Sequence, residues 1–248
     1  MKGVAFVAGV TMAMLASSAH GAETAREILD RRQSLEDGSR RWQDRYQEMK
    51  LVISGGATTR ERKLKSWEQR KSADQTKSLV IFEAPAELRG TGLLADSRKG
   101  EPAEQWLYVP ATKKVRRITA ETRDQSFAGT DLSYRDLDLL SAMTEWTEED
   151  ASSSLLREET IDGVACYAIE LLPKRSDIGY GRIVIWLGKE DLVPRQVDLF
   201  ESPPSRGWIA SVTGADAGAP PTRRIQQSDV SLVGQIPVVR KMVVESPG

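Results

Sequence analysis

Histidine and cysteine are nearly missing from this chain. His20 is the only histidine and Cys166 the only cysteine among 248 residues. Aromatic residues make up only 6% of the chain, the formal net charge is −1, and there is no low-complexity tract and no internal repeat. The longest uncharged apolar run, Val4 to Ala16, is too short for a bilayer-spanning helix, which needs about 20 residues. Each scarcity removes a class of function. With one thiol, no intramolecular disulfide can form. With charges almost balanced, nothing calls for nucleic acid as a partner.

The lone histidine falls in the N-terminal segment. Lys2 supplies a positive start, Val4 to Ala16 an apolar stretch, and small residues follow, which is the pattern of a secretory signal peptide. Cleavage after Gly21 puts the small Ala19 three residues before the cut, whereas cleavage after Ala22 would put His20 there. The expectation is therefore a signal peptide over 1–21 and a single exported, periplasmic domain over 22–248. No cysteine lies at the junction to carry a lipid anchor. His20 leaves with the peptide, so the mature chain has no imidazole for a Ser-His-Asp or Cys-His site or for a histidine-ligated metal. Cys166 then reads as a small buried hydrophobe on a strand.

What is present points to β-structure. An apolar fraction of 40% suffices for a core in a chain of this length. Thr24 with Glu27 forms a capping box ahead of Ala25, Ile28, Leu29 and Leu35, which predicts a helix stopped by Gly38. A further amphipathic turn or two is expected through Trp42 and Tyr46. From Met49 the period becomes two, with turns at Gly55-Gly56, Ala84-Pro85, Asp162-Gly163, Lys189 to Asp191 and Gly234. Strands are predicted over Thr76 to Phe82, Gly90 to Ala95, Gln105 to Val109, Arg182 to Leu187, Val193 to Glu201, Ile225 to Val233 and Val238 to Val244, among others. Pro203-Pro204 and Gly214 to Pro221 read as loops. Antiparallel neighbours joined by short turns account for this pattern.

The stretch Trp106 to Leu137 concentrates the chemistry. Trp106 and Tyr108 share one face of a strand, while Leu107 and Val109 share the other; Trp186 occupies a second strand that is also apolar on both faces. One face of a single antiparallel sheet is usually wet, so such strands ask for a helix, a lipid or a partner as cover. Core packing is the commoner fate of aromatic strand residues. Arg116 and Arg117 alternate across their strand, so one at most faces any given side. The default for them is a solvated face near Glu121 or Asp124. Asp131 and Asp136 could be paired carboxylates, but a turn-like context makes them an N-cap and a surface charge.

Five motifs in order carry a resemblance to a known family. GTGLL at Gly90 to Leu94, WLYVPATKKVRRI, FAGTDLSYRDL, DGVACYAIELLPK and VIWLGKEDLVPRQVDLFE together resemble the outer-membrane lipoprotein-sorting proteins of the LolA-like superfamily, in the branch associated with RND/MMPL-type exporters. The resemblance covers nearly all of the mature chain. It implies an α+β, mainly antiparallel fold: a curved, incomplete β-barrel of the LolA/LolB half-barrel kind, covered by helices, with a cavity for acyl chains. Leu132 stands where relatives carry a second aromatic and Ala128 where a Met is common, which implies a cavity shaped for a different lipid.

The expected function is a periplasmic carrier of lipid or lipoprotein acyl chains, working with an inner-membrane RND/MMPL exporter, needing no cofactor or metal and acting as a monomer. Trp106, Tyr108 and Trp186 would wall the slot, Arg116 and Arg117 would form a cationic rim for a headgroup, and Phe127, Leu132 and Tyr134 would form a lid. Two alternatives stand beside it: a sensor or exporter-accessory module that moves no lipid, and an extracytoplasmic hydrolase using two carboxylates.

Overall fold

Two antiparallel meanders meet in the middle of one sheet. The computed structural model describes residues 23–55, 58–201 and 220–247. A helix α1 (Ala25–Asp37) is followed by β1 (Asp44–Gly55), β2 (Thr58–Arg70), β3 (Gln75–Ala84), β4 (Gly92–Arg98), β5 (Glu104–Val109) and β6 (Lys114–Ile118). A second helix, α2 (Tyr134–Ala142), precedes β7 (Ala151–Ile161), β8 (Val164–Pro173), β9 (Arg182–Gly188), β10 (Pro194–Phe200), β11 (Arg223–Val233) and β12 (Ile236–Glu245). The 12 strands lie in the order β6-β5-β4-β3-β2-β1-β12-β11-β10-β9-β8-β7. Every neighbouring pair is antiparallel except β1 and β12, which run parallel with Leu51 opposite Met242 and Ile53 opposite Val244. Twisted open sheets rarely exceed about 10 strands without curling. This one is a curved, open half-barrel, as the sequence motifs imply.

Curling gives the sheet one inner face, and the core lies there. Leu51 and Ile53 of β1, Leu64 of β2, Phe82 of β3, Leu93 of β4 and Leu107 of β5 join Ile169, Ile185, Val197, Ile225 and Val244 from the second meander in one cluster. Helix α1 adds Ile28 and Leu29 to it. That helix begins as its sequence predicts: the Thr24 hydroxyl accepts from the Glu27 amide, and the Glu27 carboxylate accepts from the Thr24 amide at 2.7 Å. Asp162 and Gly163, at φ 48° and 81°, make the tight turn between β7 and β8.

Some expectations shift. Tyr46 lies in β1, not in a helical turn, because its cross-strand partner Trp67 sets it on a sheet face. The strand expected over Gly90 to Ala95 runs Gly92–Arg98 instead, since Gly90 at φ 79° still belongs to the turn. Helix α2 is an element the periodicity reading missed. The Gly56 turn position, the Pro203-Pro204 pair and 214–219 lie outside the described residues.

Ile28 is fully buried where α1 meets the sheet. Its replacement by Ala is expected to cost about 2–5 kcal/mol by removing methyl groups from a packed site, measured by urea denaturation. Thr24→Ala removes only the cap and should cost about 1 kcal/mol.

Candidate functional site

The sheet order makes β6 and β7 the two edges, although they are consecutive in sequence. Residues 119–150 must therefore carry the chain from one edge to the other, and they do so over the inner face. Phe127, Leu132, Tyr134, Leu139, Met143 and Trp146 from this insert all belong to the core cluster. Phe127 lies between Phe82 of β3, with ring centroids 5.3 Å apart, and Tyr134, 5.6 Å away and edge-on. Phe127, Leu132 and Tyr134 are 2%, 1% and 1% exposed. The insert thus fills the concave face.

Local sequence explains its shape. The Thr130 amide donates to the Phe127 carbonyl at 2.9 Å across Ala128 and Gly129. Both of these sit at positive φ, 50° and 67°. That is the backbone of a mirror-image tight turn, for which glycine is suited and alanine is strained. The Phe127 amide closes a second bond to the Leu132 carbonyl at 2.7 Å. Ser133 then caps α2 in a capping box with Asp136, whose carboxylate accepts from the Ser133 amide at 2.7 Å.

Asp136 is the polar centre of the insert. It is 1% exposed, so it is a buried carboxylate and not the surface charge its turn-like context suggests; Ser133, not Asp131, is the N-cap. The Tyr180 hydroxyl donates to Asp136 at 2.7 Å, and Arg223 of β11 pairs with it at 3.1 Å. Burial, and after it the Asp136 charge, pushes the Tyr180 hydroxyl well above its usual range, which keeps it a donor. Burial opposes the Arg223 charge, but Asp136, Tyr180 and Asp131 outweigh it and raise the pKa. Arg223 also donates to the Asp131 carbonyl. From β2, Arg60 donates to the Gly129 carbonyl at 3.2 Å and lies 3.7 Å from the Asp131 carboxylate. Two arginines from opposite halves of the sheet thus hold the turn that carries Phe127.

The other sequence-predicted residues do not converge on this space. Leu107 points into the core, so its neighbours Trp106 and Tyr108 lie on the opposite, outer face, where Tyr108 is 39% exposed. Arg117 shares that outer face, paired with Glu104. Arg116 lies opposite Leu107 on the inner side of the edge strand and is exposed. Trp186 also faces outward, in a second cluster with Cys166, Ala168 and Val184, and its indole N–H donates to Glu159. Cys166 is buried, and burial raises its thiol pKa. Sequence reasoning missed Arg60, Arg223 and Tyr180. Nothing local distinguishes them, because their role depends on strands far apart in the chain. Among the described residues no group of three or more His, Cys, Asp or Glu could hold a metal ion.

Comparison with known proteins agrees with this architecture. A domain described as an outer membrane lipoprotein-sorting protein from Vibrio parahaemolyticus superposes with a TM-score of 0.69 at 22% identity, covering 90% of this chain and 85% of that one. A DUF1329 family protein from Desulfovibrio piger gives 0.71 at 25% identity, with the same 90% and 85% coverage. A LolA superfamily protein from Nitrosomonas europaea gives 0.53 at 18% identity, covering 92% and 87%. This chain shares the fold of these three proteins. A family model described as "Uncharacterized protein" matches residues 74–205, more than half of the sequence, and the chain belongs to that family. No curated protein matches it.

Arg223→Ala would leave Asp136 buried without its cation. The expected cost is about 3–5 kcal/mol, the usual penalty for breaking a buried pair from one side, read from thermal or urea unfolding. Limited proteolysis should show new cleavage within 119–150.

Proposed function

We propose that the protein is a periplasmic carrier that binds the acyl chains of a lipid or lipoprotein on the concave face of its half-barrel and moves them toward the outer membrane. One observation carries this reading. The inner face is covered by α1 and by an insert that is covalently joined to the sheet only at its two edges and is tied to it by side-chain contacts such as Arg60 to Gly129, Gln105 to Tyr134 and Arg223 to Asp136, rather than by a second sheet. Such a cover can leave without dismantling the strands. Its departure would expose Phe82, Leu93, Leu107 and Ile185, an apolar lining suited to hydrocarbon. The lipoprotein-sorting description of a structural neighbour supports the same reading.

The lid residues in this proposal are Phe127, Leu132 and Tyr134. Arg116 is the rim cation on the inner side of edge strand β6. Trp106, Tyr108, Arg117 and Trp186 are left out of the acyl site by their orientation. An exporter of the RND/MMPL type as donor, and export with a signal peptide cleaved near Gly21, belong to the proposal. The proposed activity is binding, in which the buried Asp136, engaged by Tyr180, Arg223 and the Ser133 amide, serves to hold the insert.

The filled inner face also favours a second reading, an exporter-accessory or sensor module whose insert never opens. Mass spectrometry of organic extracts from protein purified out of its native periplasm separates the two. Bound lipid is expected in the wild type. A fluorescent fatty acid should bind more tightly to Arg223→Ala, whose insert is loosened, than to the wild type. Absence of lipid in the extracts, together with no dye binding by either protein, would sink the carrier reading and leave the accessory module.

A further inference from the structure

The outer face of the first meander carries an ordered apolar row. Cross-strand registers align Tyr46 with Trp67, Trp67 with Leu79, Leu79 with Leu94, and Leu94 with Trp106. These five residues form one apolar row across β1 to β5, continued by Arg117 on β6. Tyr46 is 50%, Trp67 39% and Leu94 41% exposed. A groove of about 430 Å³ runs along the β1 to β4 part of the row, floored by Tyr46, Trp67, Leu79 and Leu94. The outer face of β8 and β9 carries comparable residues, yet Cys166, Ala168, Val184 and Trp186 there are all buried.

We propose that this outer face packs on the same face of a second copy of the chain, about a two-fold axis lying parallel to the strands between β3 and β4. The rows are self-complementary under that operation. It sets Leu79 of one copy over Leu94 of the other and Trp67 over Trp106, and it brings Arg117 over the Tyr46 ring, a cation–π arrangement. The Trp106 side chain of each copy then enters the groove of its partner. The adjoining polar row, Asp44, Gln69, Lys77, Asp96 and Glu104, obeys the same rule. Lys77 and Asp96 pair within each chain at 3.2 Å, and the two-fold sets each pair over its mate with opposite charges facing, so that row adds no repulsion across the interface.

On the other side of the apolar row, Ile81 lies opposite Gly92 of the partner, a large residue over one with no side chain. Sheets packed face to face sit about 10 Å apart, which suits side chains of this size. Five strands at about 4.8 Å and three alternate residues along each cover roughly 500 Å² of sheet per copy. That is below the roughly 800 Å² per partner of a standard stable interface. The dimer is therefore concentration-dependent.

Sedimentation velocity over a wide concentration range tests this. The weight-average mass is expected to double with concentration for the wild type and to stay at the monomer value for Leu94→Arg, with unchanged circular dichroism. Geometry is checked by mixing Gln69→Cys protein with Glu104→Cys protein: a short bis-maleimide should join the two only in the mixture. A wild type that remains monomeric at every concentration overturns the proposal. So does a dimer insensitive to Leu94→Arg, or a monomer that binds phosphatidylcholine vesicles through the row. None of these results depends on whether lipid is carried on the inner face.

Discussion

The parallel pairing of β1 with β12 is the constraint on which the rest of the molecule depends. It joins the first strand of one meander to the last strand of the other and so places both at the centre of the sheet. Leu51, Val52 and Ile53 of β1 are all buried, which is what a parallel junction in a sheet interior asks for. Because the centre is built from the outer ends of the two meanders, the edges are built from β6 and β7. The chain must cross between those edges in a single step. A curled sheet makes the crossing short over the inner face, and the inner face needs cover. Topology and the hydrophobic effect therefore place the insert in the same position.

An insert placed in this way is held by two kinds of contact. Its apolar side chains supply most of the attraction: Phe127, Leu132 and Tyr134 are almost fully buried, and complete burial of such groups is worth about 1.5–3 kcal/mol each. The polar contacts set where it sits. Asp136 has Tyr180, Arg223 and the Ser133 amide around it. Buried ion pairs gain little over apolar packing but strongly disfavour any arrangement that leaves a charge unpaired. The Arg60 and Arg223 contacts to the backbone of 129–131 work in the same direction. The left-handed turn at Ala128 and Gly129 holds local strain. Apolar attraction, polar registration and a strained turn together hold the insert in one position over the inner face.

Much of the fold could be read from residue order, because strands and turns are local. The capping box at Thr24, the Asp162-Gly163 turn, the Gly234 hairpin and most strands lie where the pattern puts them. Helix α2 was legible too: Ser133 with Asp136 three residues on is the same capping signature as Thr24 with Glu27, and Leu137 and Leu140 follow at helical spacing. A reading of FAGTDLSY as one continuous lid hides it. The site was less legible. Alternation shows that Trp106 and Leu107 face opposite ways, but not which of them faces the core. That choice is made by sheet curvature and by the pairing of distant strands, neither of which is encoded within the strand. Arg60, Tyr180 and Arg223 meet the insert for the same reason and leave no local trace.

Trp106 and Trp186 show how far a local pattern can decide. Both sit on strands that are apolar on both faces, and both side chains point away from the inner core. Trp186 is 4% exposed, its strand β9 buried along its whole length and its N–H taken by Glu159. Trp106 lies in a row whose members Trp67 and Leu94 stay substantially open to water. The difference is one of neighbours: β9 lies between β8 and β10, whose outward residues are also apolar or paired, whereas β5 adjoins the short basic edge strand β6. A strand with two apolar faces near an edge keeps one face available. In a sheet whose inner face is already occupied by its own chain, that outer face is where a further macromolecule has most to gain by binding.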